Sequence, residues 1–164
     1  MKSTATKADL LRALHVPGTP LIVPNVWDAI TARTVSAAPG VKALATASHA
    51  ISFAHGVDDG EGLSVDQALA AAQLIVRATE LPVSVDFERG YTRDLGELKD
   101  NITRLIYTGA AGLNFEDSTG DATAPLADVD TQVARVAAIR EVAHAIEVPL
   151  VLNARVDALV RGSD

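Results

Sequence analysis

Five short apolar runs, each separated from the next by a stretch of helical periodicity, constrain this chain more than any other feature. The runs are Leu21–Val23, Val41–Thr46, Leu81–Glu88, Ala111–Phe115 and Pro149–Asn153. Between them, apolar residues recur at helical spacing. The clearest case is Val65, Ala68, Leu69, Ala72, Ile75 and Val76, preceded by the capping pattern Ser64 and Gln67. A second stripe, Leu95, Leu98, Ile102, Leu105 and Ile106, follows Asp94 and Glu97, with Gly109 just beyond it. Further helices are predicted over Lys7–Leu14, from Ala29 to Ala37 after a capping Asp28, and from about Asp130 to Ala145. The stretch from Ala47 to Gly62 reads as irregular. Strict alternation of strand and helix requires parallel strands joined by right-handed crossovers. The expectation is one α/β domain over residues 1–164, with helices packed on a parallel sheet.

Composition supports this and narrows the function. Apolar residues make up 48% of the 164 residues and aromatics only 4%, so Ala, Val and Leu fill the core. A formal net charge of -7 argues against a nucleic-acid partner, which needs a basic face. The chain has no cysteine, which rules out disulfides, thiolate metal sites and a cysteine nucleophile within it. No apolar run approaches a membrane span, and Met1 to Ala8 lacks the apolar centre of a signal peptide. The expectation is a cytoplasmic protein.

In parallel α/β folds the carboxyl ends of the strands face one way, and ligands bind there. The centre of interest is Pro82-Val-Ser-Val-Asp-Phe-Glu-Arg-Gly-Tyr91. A period of two places Asp86 and Glu88 on one side of the strand, and Gly90 permits a sharp bend. Two carboxylates so placed suit a hard cation such as Mg²⁺ or Mn²⁺; equally, they could be solvated charges entering a loop. The other predicted strand ends carry Asn25 and Asp28, Ala47-Ser48-His49, Glu116 and Asp117, and Arg155 and Asp157. An anion bridging a metal and Arg155 would satisfy both signs of charge, but Arg155 could instead pair with Glu116 or Asp117 as a structural bridge. His15 and His144 read as surface residues, His49 and His55 as lining near the mouth, and Trp27 as a buried anchor of the first loop.

Asp86-Phe-Glu-Arg-Gly-Tyr91, Gly112-Leu-Asn-Phe-Glu-Asp117 and Asn153-Ala-Arg-Val-Asp157, in that order and spacing, resemble the isocitrate lyase / phosphoenolpyruvate mutase superfamily. Pro24-Asn-Val-Trp-Asp28 and Gly56-Val-Asp-Asp59 fit as well. The resemblance implies a (β/α)8 TIM-type barrel, of which this chain would supply about the first five strands as the N-terminal part of a longer product. It implies Mg²⁺ held by Asp86, with Glu88, Asp59 and Glu116 supporting, some of them through water. The family's carboxylate site falls on Ala47, Ser48 and His49, and its substrate-gripping, catalytic arginine on Arg155. The implied substrates are small 2-oxo or 2-hydroxy carboxylates and phosphonates, handled through an enolate, and the implied assembly is a homotetramer.

The chain departs from that pattern. The lyases' Lys-Lys/Arg-Cys-Gly-His loop is here Asp117-Ser-Thr-Gly-Asp-Ala-Thr-Ala-Pro125, without cysteine, lysine or histidine. The mutase's Lys-Thr-Asn-Ser loop is missing, Thr92 stands where glycine is usual, and Ala47-Ser48 replaces Ser-Gly. The reaction within the superfamily is therefore open. Two rivals stand beside it: a catalytically idle member that binds a small carboxylate, and an unrelated open doubly wound α/β domain.

Overall fold

The structure, a computed structural model, describes residues 2–161. The chain runs α1 (Thr4–Leu14), β1 (Asn25–Val26), α2 (Ala29–Ser36), β2 (Leu44–Thr46), α3 (Ser48–Ala54), α4 (Val65–Arg77), β3 (Val83–Asp86), α5 (Leu95–Tyr107), β4 (Gly112–Glu116), α6 (Val129–Ala145), β5 (Val151–Arg155) and α7 (Ala158–Arg161). The five strands form one parallel sheet in the order β1-β2-β3-β4-β5. Sequential order without a reversal is the order of a barrel wall. A doubly wound sheet reverses its strand order at a switch point, so that rival reading does not hold.

The longer helices start where a side chain can take the free N–H groups of the first turn. Asp28, Ser64, Asp94 and Asp128 each accept from the backbone three residues on. Ser64 and Gln67 form a reciprocal capping box. Asp94 and Glu97 do not, because Glu97 turns instead to the Thr92 hydroxyl. The core lies between sheet and helices: Leu44, Val83, Val85, Leu113 and Phe115 from the strands meet Leu69, Ile75, Leu98, Ile102, Leu105 and Ile139. Gly112 is needed where β4 passes closely; an added Cβ would meet the Val151 carbonyl oxygen at 2.6 Å.

Three sequence expectations shift. The first strand is Asn25–Val26 rather than Leu21–Val23. Pro20 and Pro24 carry no N–H, so no ladder can run through them, and pairing begins where the Pro24 carbonyl accepts from Ala45. The stretch from Ala47 contains a helix, α3, which closes the end of β2 directly. Trp27 is 43% exposed and does not anchor its loop by burial.

Candidate active site

The register of the sheet sets the site. Asp86 ends β3 opposite Asn114, and Glu116 ends β4 opposite Arg155. Ser48 opens α3 immediately after β2, with buried Ala47 as its cap residue. These ends belong to neighbouring strands, so their side chains share one rim.

Asp86 is held from one side only. Its Oδ2 accepts the Ser48 hydroxyl at 2.9 Å and the Ser48 N–H at 3.3 Å, and its own N–H donates to Thr46 Oγ1 at 2.8 Å. Its other oxygen, Oδ1, is buried and has no hydrogen-bond partner. A carboxylate oxygen in that condition is costly unless something cationic or protic meets it.

Glu88 sits beyond the end of β3 with a left-handed φ of 46°, so strand periodicity does not carry from Asp86 to Glu88. Its side chain is fixed separately. Oε2 accepts the Glu61 N–H at 2.6 Å and Oε1 accepts the Tyr91 hydroxyl at 3.1 Å. Burial pushes its carboxyl up to about 7, and the charges of Asp59 and Glu61 add to this against those two hydrogen bonds. Burial likewise raises the Tyr91 phenol, followed by the neighbouring Glu88. Asp59 is exposed and reaches Glu88 by its field alone.

Glu116 and Arg155 do meet. Arg155 Nη1 lies 2.7 Å from Glu116 Oε1, and Ser118 donates to Glu116 Oε2 at 3.0 Å. Arg155 Nε donates to Asp157 Oδ1 at 2.7 Å. Asp157 is buried, its Oδ2 has no partner, and its N–H donates to Asp117 Oδ1 at 2.8 Å. Burial raises the Glu116 carboxyl and Arg155 opposes the rise. Burial works against the Arg155 charge, but Glu116 and Asp157 overcome it and the guanidinium is held above its ordinary value. Asp86 also adds to the field at both.

The histidines stay peripheral. His49 is exposed, edge-on to Phe53, and His55 holds the Ile51 carbonyl of its own helix. His15 does the same with Leu11. A cavity of about 580 Å³ lies beside Glu116 and Ser118, between the 89–93 turn and the loop after β4, with Arg93, Gln132 and Arg135 on its walls. At Asp86 itself lies a cleft of about 10 Å³, lined by Ser48, Leu63, Phe87 and Tyr91 among others. Asp86 lines the cleft and Glu116 the larger cavity, so the strand-end acids border both.

The family model described as phosphoenolpyruvate phosphomutase matches residues 11–164. The chain belongs to this family. An uncharacterized protein of Mycobacterium tuberculosis is 33% identical over 148 residues, covering 88% of this chain and 51% of that protein. The chain thus spans about half the length of the curated relatives it matches. Among solved structures, a protein of Burkholderia cenocepacia J2315 provisionally described as a lyase/mutase superposes with a TM-score of 0.91 at 36% identity, covering 98% of this chain and 58% of its own. 2,3-Dimethylmalate lyase, a member of the phosphoenolpyruvate mutase/isocitrate lyase superfamily, superposes with a TM-score of 0.81 at 28% identity, over 97% of this chain and 53% of its own. The resemblance drawn from the strand-end motifs is therefore correct, and so is the parallel α/β architecture.

Among the described residues, no three histidine, aspartate or glutamate side chains form a group that could hold a metal ion as they stand. Mg²⁺ does not require one. It keeps several waters and is usually held by one or two carboxylates plus the substrate. Asp86, with a buried oxygen that nothing else satisfies, fits that demand.

Sequence reasoning missed Glu61, which contacts Glu88, Arg89 and Tyr91, and the part Ser48 plays in orienting Asp86. A glutamate between two glycines, Gly60-Glu-Gly62, was the available signal. It carries no periodicity.

Proposed function

We propose that this family member forms the metal- and anion-binding side of an enzyme that makes or consumes an enolate of a small 2-oxo or 2-hydroxy carboxylate or phosphonate. The observation that carries this is the buried, unpartnered Asp86 Oδ1 on the same rim as the Arg155–Glu116 pair. Asp86 would hold Mg²⁺ or Mn²⁺, with Glu88, Glu116 and Asp59 ligating directly or through water. When bound, the ion supplies positive charge to a developing enolate oxygen.

The chain's own groups account for the rest. Arg155, fixed at Nη1 by Glu116 and at Nε by Asp157, presents its remaining N–H groups to the anionic end of a substrate. Ser48 orients Asp86 through two hydrogen bonds. With both Ser48 donors on Asp86 and the Ala47 N–H on the Val26 carbonyl at 3.3 Å, the expected carboxylate site at Ala47, Ser48 and His49 would rest on His49.

One observation favours a second reading, a member that binds without turnover. The loop after Glu116 is closed on itself: the Thr119 N–H donates to the Pro125 carbonyl at 2.9 Å and the Ala127 N–H to the Asp117 carbonyl at 2.8 Å. It offers hydroxyls and carboxylates but no cysteine, lysine or histidine for proton transfer. The test is to assay the full-length protein with Mg²⁺ against oxaloacetate, 2,3-dimethylmalate, methylisocitrate, phosphonopyruvate and phosphoenolpyruvate. Turnover of any one, lost in Asp86→Ala, supports the enzyme. Saturable binding without turnover on all five supports the idle reading. Asp86→Ala that leaves both Mn²⁺ affinity and turnover unchanged rejects the site.

A further inference from the structure

The turn after β3 is built from residues that resist its shape. Glu88 and Tyr91 are left-handed, with φ of 46° and 62°, and only Gly90 between them adopts φ of 84° without penalty. Such a turn persists when its surroundings over-determine it. Here one residue of a neighbouring loop meets the backbone donors on both sides of Gly90 and the Glu88 side chain as well.

Glu61 lies in the loop between α3 and α4, itself left-handed at φ 65°. Its Oε1 accepts the Tyr91 N–H at 2.7 Å and the Arg89 N–H at 3.2 Å. Its Oε2 accepts Arg89 Nη2 at 3.0 Å and Nε at 3.2 Å. Its own N–H returns to Glu88 Oε2 at 2.6 Å, and the adjacent Gly60 carbonyl accepts Arg89 Nη2 at 3.0 Å. Both backbone donors flanking the bend and one oxygen of Glu88 are thus fixed by a single residue some thirty positions away in the chain. On the far side, Arg135 donates to the Arg89 carbonyl and, at 2.9 Å, to the Thr92 carbonyl. Asn101 Nδ2 also donates to the Gly90 carbonyl at 3.0 Å and the Glu116 N–H to the Glu88 carbonyl at 2.8 Å, but neither group meets the Glu88 carboxylate.

We infer that Glu61 is a positioning residue: it braces the Glu88–Tyr91 turn and thereby aims Glu88 at the candidate metal site. The inference rests on the reading of Glu88 as a supporting metal ligand, and it ties the 56–62 loop to the end of β3. The brace needs a carboxylate. A glutamine can offer only one oxygen; whichever way its amide turns, an N–H faces either the backbone donors or the Arg89 guanidinium.

The test uses the full-length protein with two readouts: amide hydrogen exchange of Arg89 and Tyr91 without metal, and Mn²⁺ affinity by calorimetry. Glu61→Ala is expected to speed exchange at both amides at least about tenfold and to weaken Mn²⁺ by about 10–100-fold, the usual range for groups that orient a ligand. Glu61→Gln is expected to fall between, and Glu61→Gln with Arg89→Met to recover both readouts, since the clash with the guanidinium is gone. A merely structural role would lower the melting temperature without this recovery. Unchanged exchange in folded Glu61→Ala overturns the brace. Should Glu61→Ala not fold, the single and double glutamine variants decide, and equal behaviour overturns the inference. Wild-type protein that binds no Mn²⁺, with exchange still accelerated by Glu61→Ala, removes the metal reading and leaves the brace standing.

Discussion

Arg155 is pulled from two sides, and the pull is unequal. Glu116 is nearly buried and Asp157 almost wholly so, while the arginine side chain is 39% exposed. Removing the cation would strand two desolvated carboxylates, which is costlier than the pair is worth as a bond. Arg155→Met is therefore expected to lower stability by about 1–3 kcal/mol, below the fully buried range because solvent reaches the guanidinium. Arg155→Met combined with Asp157→Asn should recover part of that loss. A denaturant-based double-mutant cycle checks it, and strict additivity would show that the two are not coupled. Lys7 is the opposite case, a cation without an anion in contact. It is buried and donates to the Thr79 carbonyl at 3.0 Å, and burial lowers its pKa despite the field of Glu80. The unfolded chain then binds the extra proton between the lowered folded value and the ordinary 10.5. Stability should rise as pH climbs through that window, and chemical denaturation of Lys7→Met across the same range should lack that component.

Elements in this chain are decided by caps, turns and prolines more than by apolar pattern alone. Gly90 makes the point: an added Cβ would lie 2.5 Å from Leu98 Cδ1 and 3.1 Å from Phe115 Cε2, in a left-handed backbone. Gly90→Ala is expected to cost at least about 2 kcal/mol from strain and overpacking together, read as a fall in denaturation midpoint at unchanged slope. The helices with a polar cap and an amphipathic stripe were legible before any coordinates, as α4 and α5 show. So was the placing of Asp86, Glu116 and Arg155 at the ends of neighbouring strands, because a parallel sheet brings those ends to one rim. What was not legible has a common cause. α3 follows β2 without a turn signal, and Ala47 caps it with no side-chain hydrogen bond, so nothing in Ala-Ser-His announced a helix. Glu88 was assigned by strand periodicity, which ended two residues earlier at Asp86. Glu61 acts through contacts with residues about thirty positions along, and local pattern cannot encode those.

Among the described residues the sheet is an arc, not a closed ring: β1 and β5 each pair with a single neighbour. β5 is only partly covered, and beyond it Val156, Leu159 and Val160 are 70%, 98% and 71% exposed. Near the other edge Ile22 and Ile30 are 81% and 75% exposed. An unpaired parallel edge flanked by apolar side chains offers hydrogen bonds and buried area to another copy. The net charge of -7 opposes that contact through space, and salt weakens the opposition. The 164-residue chain studied alone is therefore expected to self-associate as its concentration rises toward about 100 µM, more strongly at high salt than at low. Sedimentation velocity over a concentration series would show it as a rising weight-average coefficient. Leu159→Lys with Val160→Glu, placed on the exposed helix α7, should reduce the association without shifting the far-ultraviolet circular dichroism, because neither side chain is buried in the sheet. Association unaffected by that pair would move the contact to the β1 edge, where Ile22→Lys is the corresponding variant. A monomer at every concentration and salt would mean that backbone pairing at these edges is too weak to overcome the entropy of association, despite the apolar flanks.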